Sequence, residues 1–286
     1  MKARQVFIII ATIILAAYVP VSAAMQEKPM VIGTSIYPLY DMIKNIAGPR
    51  AEVFYVIPPG ANPHTFEPVP SIVRKLSRAS VYVAVHKDFD RSILPLVPGS
   101  ARVLYLFNRE ESEYSDPHVW LSVQRARTLC SAVAAFLTDL YPSQKELIRE
   151  NRDSYCMQLT ALDKELTQLF EPVRSQSFIQ LHQAWDRFAD DYGLAVAGTI
   201  EKGHGKKPSV REFKELVTLA RQNNVQVIVM GLQTGTGIAE ALKRETGSAL
   251  VRLDTIGGPG AEGRETYIGL MRFNGTRLAA AMAGTE

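Results

Sequence analysis

Cysteine and histidine are both scarce: the 286 residues hold two of the first and five of the second. Cys130 and Cys156 lack the close spacing of thiolate zinc sites, which excludes a cysteine-rich structural metal site. No His-Glu-x-x-His stretch occurs, so a familiar signature of zinc hydrolases is missing. Short repeats and low-complexity tracts are absent too. Charge of either sign is not in excess. The formal value of +3 falls further if the N-terminal segment carrying Lys2 and Arg4 is removed. Binding to nucleic acid calls for a clustered basic surface, so no nucleic acid partner is expected.

The N-terminus reads as a targeting segment. Lys2 and Arg4 precede the apolar run Val6–Ala17, and Pro20, Ser22, Ala23 and Ala24 offer a small-residue cleavage region. Residues 1–24 are therefore expected to be a signal peptide. The run is short for a membrane span of about 20 residues. No cysteine stands at the cleavage region to carry a lipid, so the mature chain is expected to be soluble and periplasmic. Export permits Cys130 and Cys156 to pair. If their helices form an antiparallel hairpin around Tyr141-Pro142, both sulfurs reach similar heights.

The remaining chain alternates between strand-like and helix-like segments. Strand-like runs are Val31–Ile36, Glu52–Ile57, Val81–Val85, Val103–Phe107, Phe178–Leu181, Leu194–Ile200, Val225–Met230 and Leu250–Leu253. Helical spacing covers Leu39–Ile46, Ser71–Leu76, Val123–Leu140, Gln183–Tyr192, Val210–Gln222, Ile238–Glu245 and Thr266–Met282. Such alternation points to parallel βαβ units. Between the halves, a long polar stretch from Ser143 to about Phe170 carries one apolar stripe (Leu147, Tyr155, Leu159, Leu162, Leu166, Leu169) and ends at Pro172. The expected architecture is α/β: two α/β lobes with parallel sheets, 25–142 and 173–286, joined by one long rigid linking helix, 143–172.

Against this background three histidine phrases stand out: Pro63-His64-Thr65-Phe66-Glu67-Pro68, Asp116-Pro117-His118-Val119-Trp120 and Leu181-His182-Gln183-Ala184-Trp185. A fourth phrase, Leu253-Asp254-Thr255-Ile256-Gly257-Gly258, supplies a carboxylate. Each reads as a loop, and three of the four follow a strand-like run, where open α/β sheets bind ligands. Three imidazoles and one carboxylate suit zinc or a similar divalent ion. His64 and His118 fall in the first lobe, His182 and Asp254 in the second, so the metal site is expected in the interlobe cleft. Each residue also has a plain alternative: a lone histidine beside a strand is usually structural, and Asp254 could cap a helix. Glu67 and Asp116 could orient the neighbouring imidazoles, or Asp116 could merely brace its own turn. His86 and His204 are weaker candidates, and Trp120 and Trp185 read as wall and core.

Two other functions compete. A zinc enzyme would need an open coordination position and a base, for which Glu67 or Glu201 could be cast. The run Gly235-Thr236-Gly237-Ile238-Ala239-Glu240 resembles part of a dinucleotide fingerprint but lacks its third glycine.

The four phrases together resemble the first to fourth ligand phrases of the periplasmic zinc- and manganese-binding solute-binding proteins of ABC transporters, the cluster A-I metal-binding family. Asp116-Pro117-His118-Val119-Trp120-Leu121 is the most specific match, and Tyr192-Gly193-Leu194 and Tyr267 to Asn274 extend the likeness over the mature chain. The resemblance implies two α/β lobes, ligands His64, His118, His182 and Asp254, and no enzymatic activity. It implies a monomer that captures Zn²⁺, with Mn²⁺ as the alternative, and delivers it to an ABC-transporter membrane permease. Two departures are visible. The stretch Arg109-Glu110-Glu111-Ser112-Glu113-Tyr114-Ser115 is short and has no histidine, unlike the His-rich loop of many zinc members. Met230-Gly231-Leu232-Gln233 lacks the Glu-Pro often found there. A third imidazole in place of a carboxylate favours zinc over the harder manganese ion.

Overall fold

A computed structural model of the chain describes residues 30–107, 116–201, 208–232 and 237–285. The expected leader, the stretch Arg109–Ser115, the His204 loop, Gln233 and Gly235-Thr236 lie outside the described residues.

Two four-stranded parallel sheets form the frame. The first contains β1 (Met30–Thr34), β2 (Ala51–Tyr55), β3 (Val81–Ala84) and β4 (Arg102–Tyr105), in the order β2-β1-β3-β4. The second contains β5 (Ser177–His182), β6 (Ala195–Glu201), β7 (Val227–Gly231) and β8 (Ala249–Leu253), in the order β6-β5-β7-β8. The central strands read Met-Val-Ile-Gly-Thr, Val-Tyr-Val-Ala and Val-Ile-Val-Met-Gly because helices cover both faces of a parallel sheet, leaving little reason for polar alternation.

Eight helices connect and cover these sheets among the described residues: α1 (Tyr37–Ala47), α2 (Pro70–Leu76), α3 (Val123–Leu140), α4 (Lys145–Phe170), α5 (Asp186–Asp191), α6 (Val210–Gln222), α7 (Gly237–Thr246) and α8 (Tyr267–Met282). The 26-residue α4 links the two lobes and packs on α3, α1 and α8. Its buried stripe is Ile148, Tyr155, Leu159, Leu162, Leu166 and Phe170, while Leu169 is exposed. The expected stripe was therefore shifted by one residue at each end. A 3.6-residue turn drifts against an integer pattern, and the ends of a long helix show that drift most.

The lobes share one apolar core. Ile43 and Ile46 of α1, Leu129 and Val133 of α3, Leu159 and Leu166 of α4, and Leu278 of α8 belong to a single buried cluster, with a smaller cluster on the far side of the second sheet. Polar stitches reinforce it. The Asp41 carboxylate on α1 accepts hydrogen bonds from the Tyr155 hydroxyl at 3.1 Å and from the Tyr267 backbone N–H at 3.0 Å. It thereby joins three helices and places a carboxyl at the positive end of α8. The Tyr37 hydroxyl donates to the Glu265 carbonyl, and Tyr267 donates to the Trp120 carbonyl, each at 2.7 Å.

Cys130 and Cys156 are free thiols, so the disulfide that export would permit is not formed. The two do lie on neighbouring helices of the α3–α4 hairpin, as the spacing implied. Similar height along a hairpin does not fix the direction of Cβ, which a disulfide requires. Cys130 points into the core and Cys156 stays at its margin. Burial raises the pKa of both thiols, and each is thus a poor nucleophile for oxidation.

Gly275 shows how closely α8 seats on α4. A Cβ there would stand 2.4 Å from Leu166 Cδ2, within a fully buried contact. Gly275→Val is expected to destabilise the fold by about 1–3 kcal/mol through overpacking. A denaturant titration checks this, and a midpoint equal to the parent's would refute the close contact.

Candidate metal centre

Every phrase singled out by the sequence lies on one side of the two sheets, beyond the carboxyl ends of their strands. His64 lies between β2 and α2, His118 between β4 and α3, His182 ends β5, and Asp254 follows β8. The structure brings three of them together. One ligand atom from each of His64, His118 and His182 lies within 4.8 Å of the others. His64 and His182, from opposite lobes, approach to 3.1 Å between their Nε2 atoms. Tetrahedral zinc with Zn–N bonds of about 2.0–2.1 Å sets nitrogens about 3.3 Å apart, so the spacing fits a shared ion. The rings meet steeply, at 62°, 70° and 84° between planes, so their nitrogen edges converge and their faces do not stack.

Each imidazole is aimed by its surroundings. The Asp116 Oδ1 atom accepts from the His118 backbone N–H at 2.9 Å and meets its ring Nδ1 at 2.5 Å. Its Oδ2 atom accepts from Arg187 Nη1 at 2.6 Å. Burial alone would push the Asp116 carboxyl up. The His118 hydrogen bonds and the Arg187 charge outweigh it and hold the group below its ordinary value. An ionised Asp116 only accepts, so Nδ1 of His118 carries the proton and Nε2 presents its lone pair to the cleft. Asp116 thus both braces its turn and orients the ring. Arg187 is 1 % exposed, lies on α5 of the other lobe, and stacks over Phe107 at 5.3 Å. Burial draws its pKa down, with Asp116 opposing the shift.

His182 is placed by Gln180. The Gln180 Oε1 atom accepts from the backbone N–H groups of Ala184 and Trp185 at 3.0 and 2.9 Å. These bonds turn the chain directly after β5. As a result α5 begins at Asp186, later than the Gln183 start expected from helical spacing. Phe89 packs edge-on against His64 and against Trp120, at 5.6 and 5.5 Å, and Trp120 lies 5.1 Å from His118. Trp120 is fully buried and donates from Nε1 to the Thr255 carbonyl at 2.7 Å, which ties the wall of one lobe to the fourth phrase of the other. A dry aromatic wall lowers the local dielectric around the imidazole nitrogens.

Asp254 lies outside the imidazole group. Its Oδ1 atom accepts from the N–H groups of Ile256 and Gly257, each at 3.1 Å, and its Oδ2 atom accepts from Arg264 Nη1 at 2.7 Å. The Gly-Gly pair makes this turn possible. Gly257 and Gly258 have φ of 57° and 134°, and a Cβ on Gly258 would come within 2.4 Å of Pro59 Cγ. The pocket around the imidazoles is lined by Glu201, Trp185 and Thr255 in addition to the three histidines. His86 is apart from the group and packs its ring against Phe107 at 5.4 Å. Arg187 and Gln180 were not singled out by sequence. Arg187 could have been suspected only as a cation on a helix facing a conspicuously acidic Asp-Pro-His phrase.

Comparison with known proteins gives the family and the fold. A family described as zinc-uptake complex component A, periplasmic, matches residues 32–281. The chain belongs to this family. Among curated relatives, the zinc-binding lipoprotein AdcA of Streptococcus pneumoniae is 28% identical over 269 residues, covering 85% of this chain and 54% of that protein. The chain thus spans about half the length of the first relatives it matches. The high-affinity zinc uptake system protein ZnuA of Bacillus subtilis is 26% identical over 279 residues and covers 88% of both chains. A crystal structure of ZnuA superposes with a TM-score of 0.77 at 27% identity, covering 89% of this chain and 100% of that one. The manganese complex of FpvC from Pseudomonas aeruginosa, at 24% identity and a TM-score of 0.79, shares the fold.

The Asp116–Arg187 pair yields a direct test. Asp116→Asn leaves the Arg187 charge buried without its anion, a change that costs about 3–5 kcal/mol. It also removes the acceptor that fixes the His118 tautomer, and zinc affinity is expected to fall about 10–100-fold. Chemical denaturation and zinc titration measure the two effects. Unchanged affinity would show that Asp116 does not orient the ligand.

Proposed function

We propose that the chain is a binding protein for a divalent transition metal, zinc first and manganese second, which captures the ion outside the inner membrane and passes it to an ABC-transporter permease. It catalyses no reaction on this reading. The observation that carries it is the convergence of His64, His118 and His182, remote in sequence and drawn from both lobes, at ligand spacing. Nitrogen-rich coordination favours zinc, because manganese prefers oxygen and stands lowest in the affinity order. The family description and the zinc-named relatives support the same cargo. A monomer with lobes at 25–142 and 173–286, helix 143–172 between them, and a leader removed after residue 24 completes the proposal. No helix among the described residues is long and apolar enough to cross a membrane. Asp254 is the fourth ligand of this proposal, its carboxylate exchanging Arg264 for the ion.

The test is zinc titration of chelator-stripped protein against a competing chromophoric chelator. His118→Ala and His182→Ala are each expected to weaken zinc binding by at least about 100-fold, exceeding the 10–100-fold loss typical of orienting partners. Parent-like affinity in both variants would end the metal-capture reading.

Acid is expected to empty the site before it unfolds the chain. Imidazole must be neutral to bind a metal, so affinity falls steeply below about pH 6. Burial pushes the carboxyls of Asp90 and Asp191 up to about 6, above the unfolded value of about 3.9. Across that window the folded chain holds more protons than the unfolded one. These two groups therefore favour the fold as pH falls through it, and lose that contribution as pH rises toward about 6. At about pH 5, zinc affinity should collapse while the circular dichroism stays native. An affinity constant between about pH 7 and pH 5 would contradict three-imidazole binding.

A further inference from the structure

Both sheets are parallel, so each lobe has two unlike ends: the imidazole edge at the carboxyl ends of the strands and a base at their amino ends. In the first lobe the base is basic. Arg50 stands directly before β2 and Arg102 opens β4; three strand spacings of about 4.8 Å set them about 14 Å apart across the sheet. Arg74 lies in the last turn of α2, which runs back from the carboxyl ends to the start of β3. The α3–α4 turn reaches the same end. The Tyr141 hydroxyl lies 3.0 Å from Ser80 Oγ beside β3, and Asn151 Nδ2 donates to the Ile46 carbonyl of α1 at 3.1 Å. Lys145, the first residue of α4, therefore joins the group.

These cations are not used by the fold. No hydrogen bond or ion pair engages the side chains of Arg50, Arg74, Arg102 or Lys145 among the described residues, and the three arginines are exposed. Their neighbours differ: Arg78 is paired with Glu52 at 2.5 Å, and Lys75 stands over the Phe54 ring at 5.1 Å. A helix C-terminus accounts for Arg74, but Arg102 opens a strand and Lys145 opens a helix, where the dipole disfavours a cation. The acids of this end do little to offset them. Glu52 and Glu146 each face an arginine, which leaves Asp139. The opposite edge has the reverse balance, with Glu67, Asp88, Glu201 and Glu262 against Lys87 and Arg91.

We propose that the base of the first lobe rests on an anionic phospholipid surface, with the imidazole edge turned away from the bilayer and open to solution. Charge complementarity is one support. The course of the chain is the other: β1 starts at Met30, on this face, and the sequence upstream carries Lys28 and the apolar run Val6–Ala17. On the export reading that run sits in the membrane during secretion, and the base is then the part of the fold next to the lipid. Each Lys or Arg close to an anionic bilayer strengthens binding about fivefold, and the effect fades beyond a Debye length of about 10 Å. A broad, shallow set of cations thus holds the protein reversibly. The inference does not rest on the metal-capture reading, since the cations and the imidazoles occupy opposite ends.

Exported protein, purified as the cell leaves it, is sedimented with vesicles of phosphatidylcholine alone or of phosphatidylcholine and phosphatidylglycerol in equal parts. The readout is the ratio of the two affinities. The parent should favour the anionic vesicles by at least about 100-fold at low salt, and high salt should abolish the preference. The triple variant Arg50→Gln, Arg74→Gln, Arg102→Gln should lose about 100-fold of that ratio, since three contributions of about fivefold multiply. The triple Arg127→Gln, Lys164→Gln, Lys214→Gln removes the same charge from exposed flanks and should keep the parent ratio. Melting temperatures equal to the parent's show both triples folded. If the first triple fails to fold, Arg102→Gln and Lys145→Gln are read singly, each with a loss of about fivefold. A parent ratio near one overturns the proposal, as does an equal loss in both triples. Binding to a DNA duplex as tight as to the anionic vesicles also overturns it, because the base would then be a general polyanion site.

Discussion

A guanidinium cannot be taken out of water without an anion to meet it, and Arg187 is almost wholly out of water. Its anion, Asp116, belongs to the other lobe. That one requirement closes the lobes at this point and, behind the larger effect of the His118 hydrogen bonds, helps keep Asp116 ionised and the proton of His118 on Nδ1. Removing either partner would strand a buried charge, which is why the pair acts as a constraint even though its net contribution to stability is small. The direction in which His118 presents its lone pair follows from an electrostatic demand made one residue type away from the metal chemistry.

The other contacts between lobes serve the same end by different means. Trp120 bonds Thr255, Tyr267 bonds Trp120, Asp41 holds the start of α8, and Tyr37 holds Glu265. All of them lie along the shared core through which α4 runs. A donor set split between two independently moving bodies would lose entropy on binding with each ion. Here much of that ordering has already occurred on folding. The nitrogens of His64 and His182 stand close across the lobes because tyrosine hydroxyls, a tryptophan N–H and buried charges fix the frame behind them.

Alternation of apolar runs with helical spacing marks the two parallel sheets and the linking helix in the sequence itself. The three histidines were legible for the same reason: each sits past a strand that the pattern located, and parallel strands deliver such residues to one edge. What stayed hidden depends on side-chain direction. Cys130 and Cys156 share a height yet differ in burial, and periodicity does not carry that difference. The late start of α5 comes from Gln180 reaching forward to two backbone N–H groups, a tertiary detail with no helical signature. Nothing in the pattern around Arg187 marks it as a buried cation.

Asp254 shows how one short phrase can suit two roles. Its phrase has the position, the tight glycine turn and the carboxylate that a ligand needs. Each is equally what a loop needs in order to hold a cation of its own, and Arg264 supplies that cation ten residues later in the chain. The difference between the two roles is a matter of competing partners. On the proposed reading, three neutral nitrogens favour zinc over a harder ion, and a carboxylate donor would offset part of its charge.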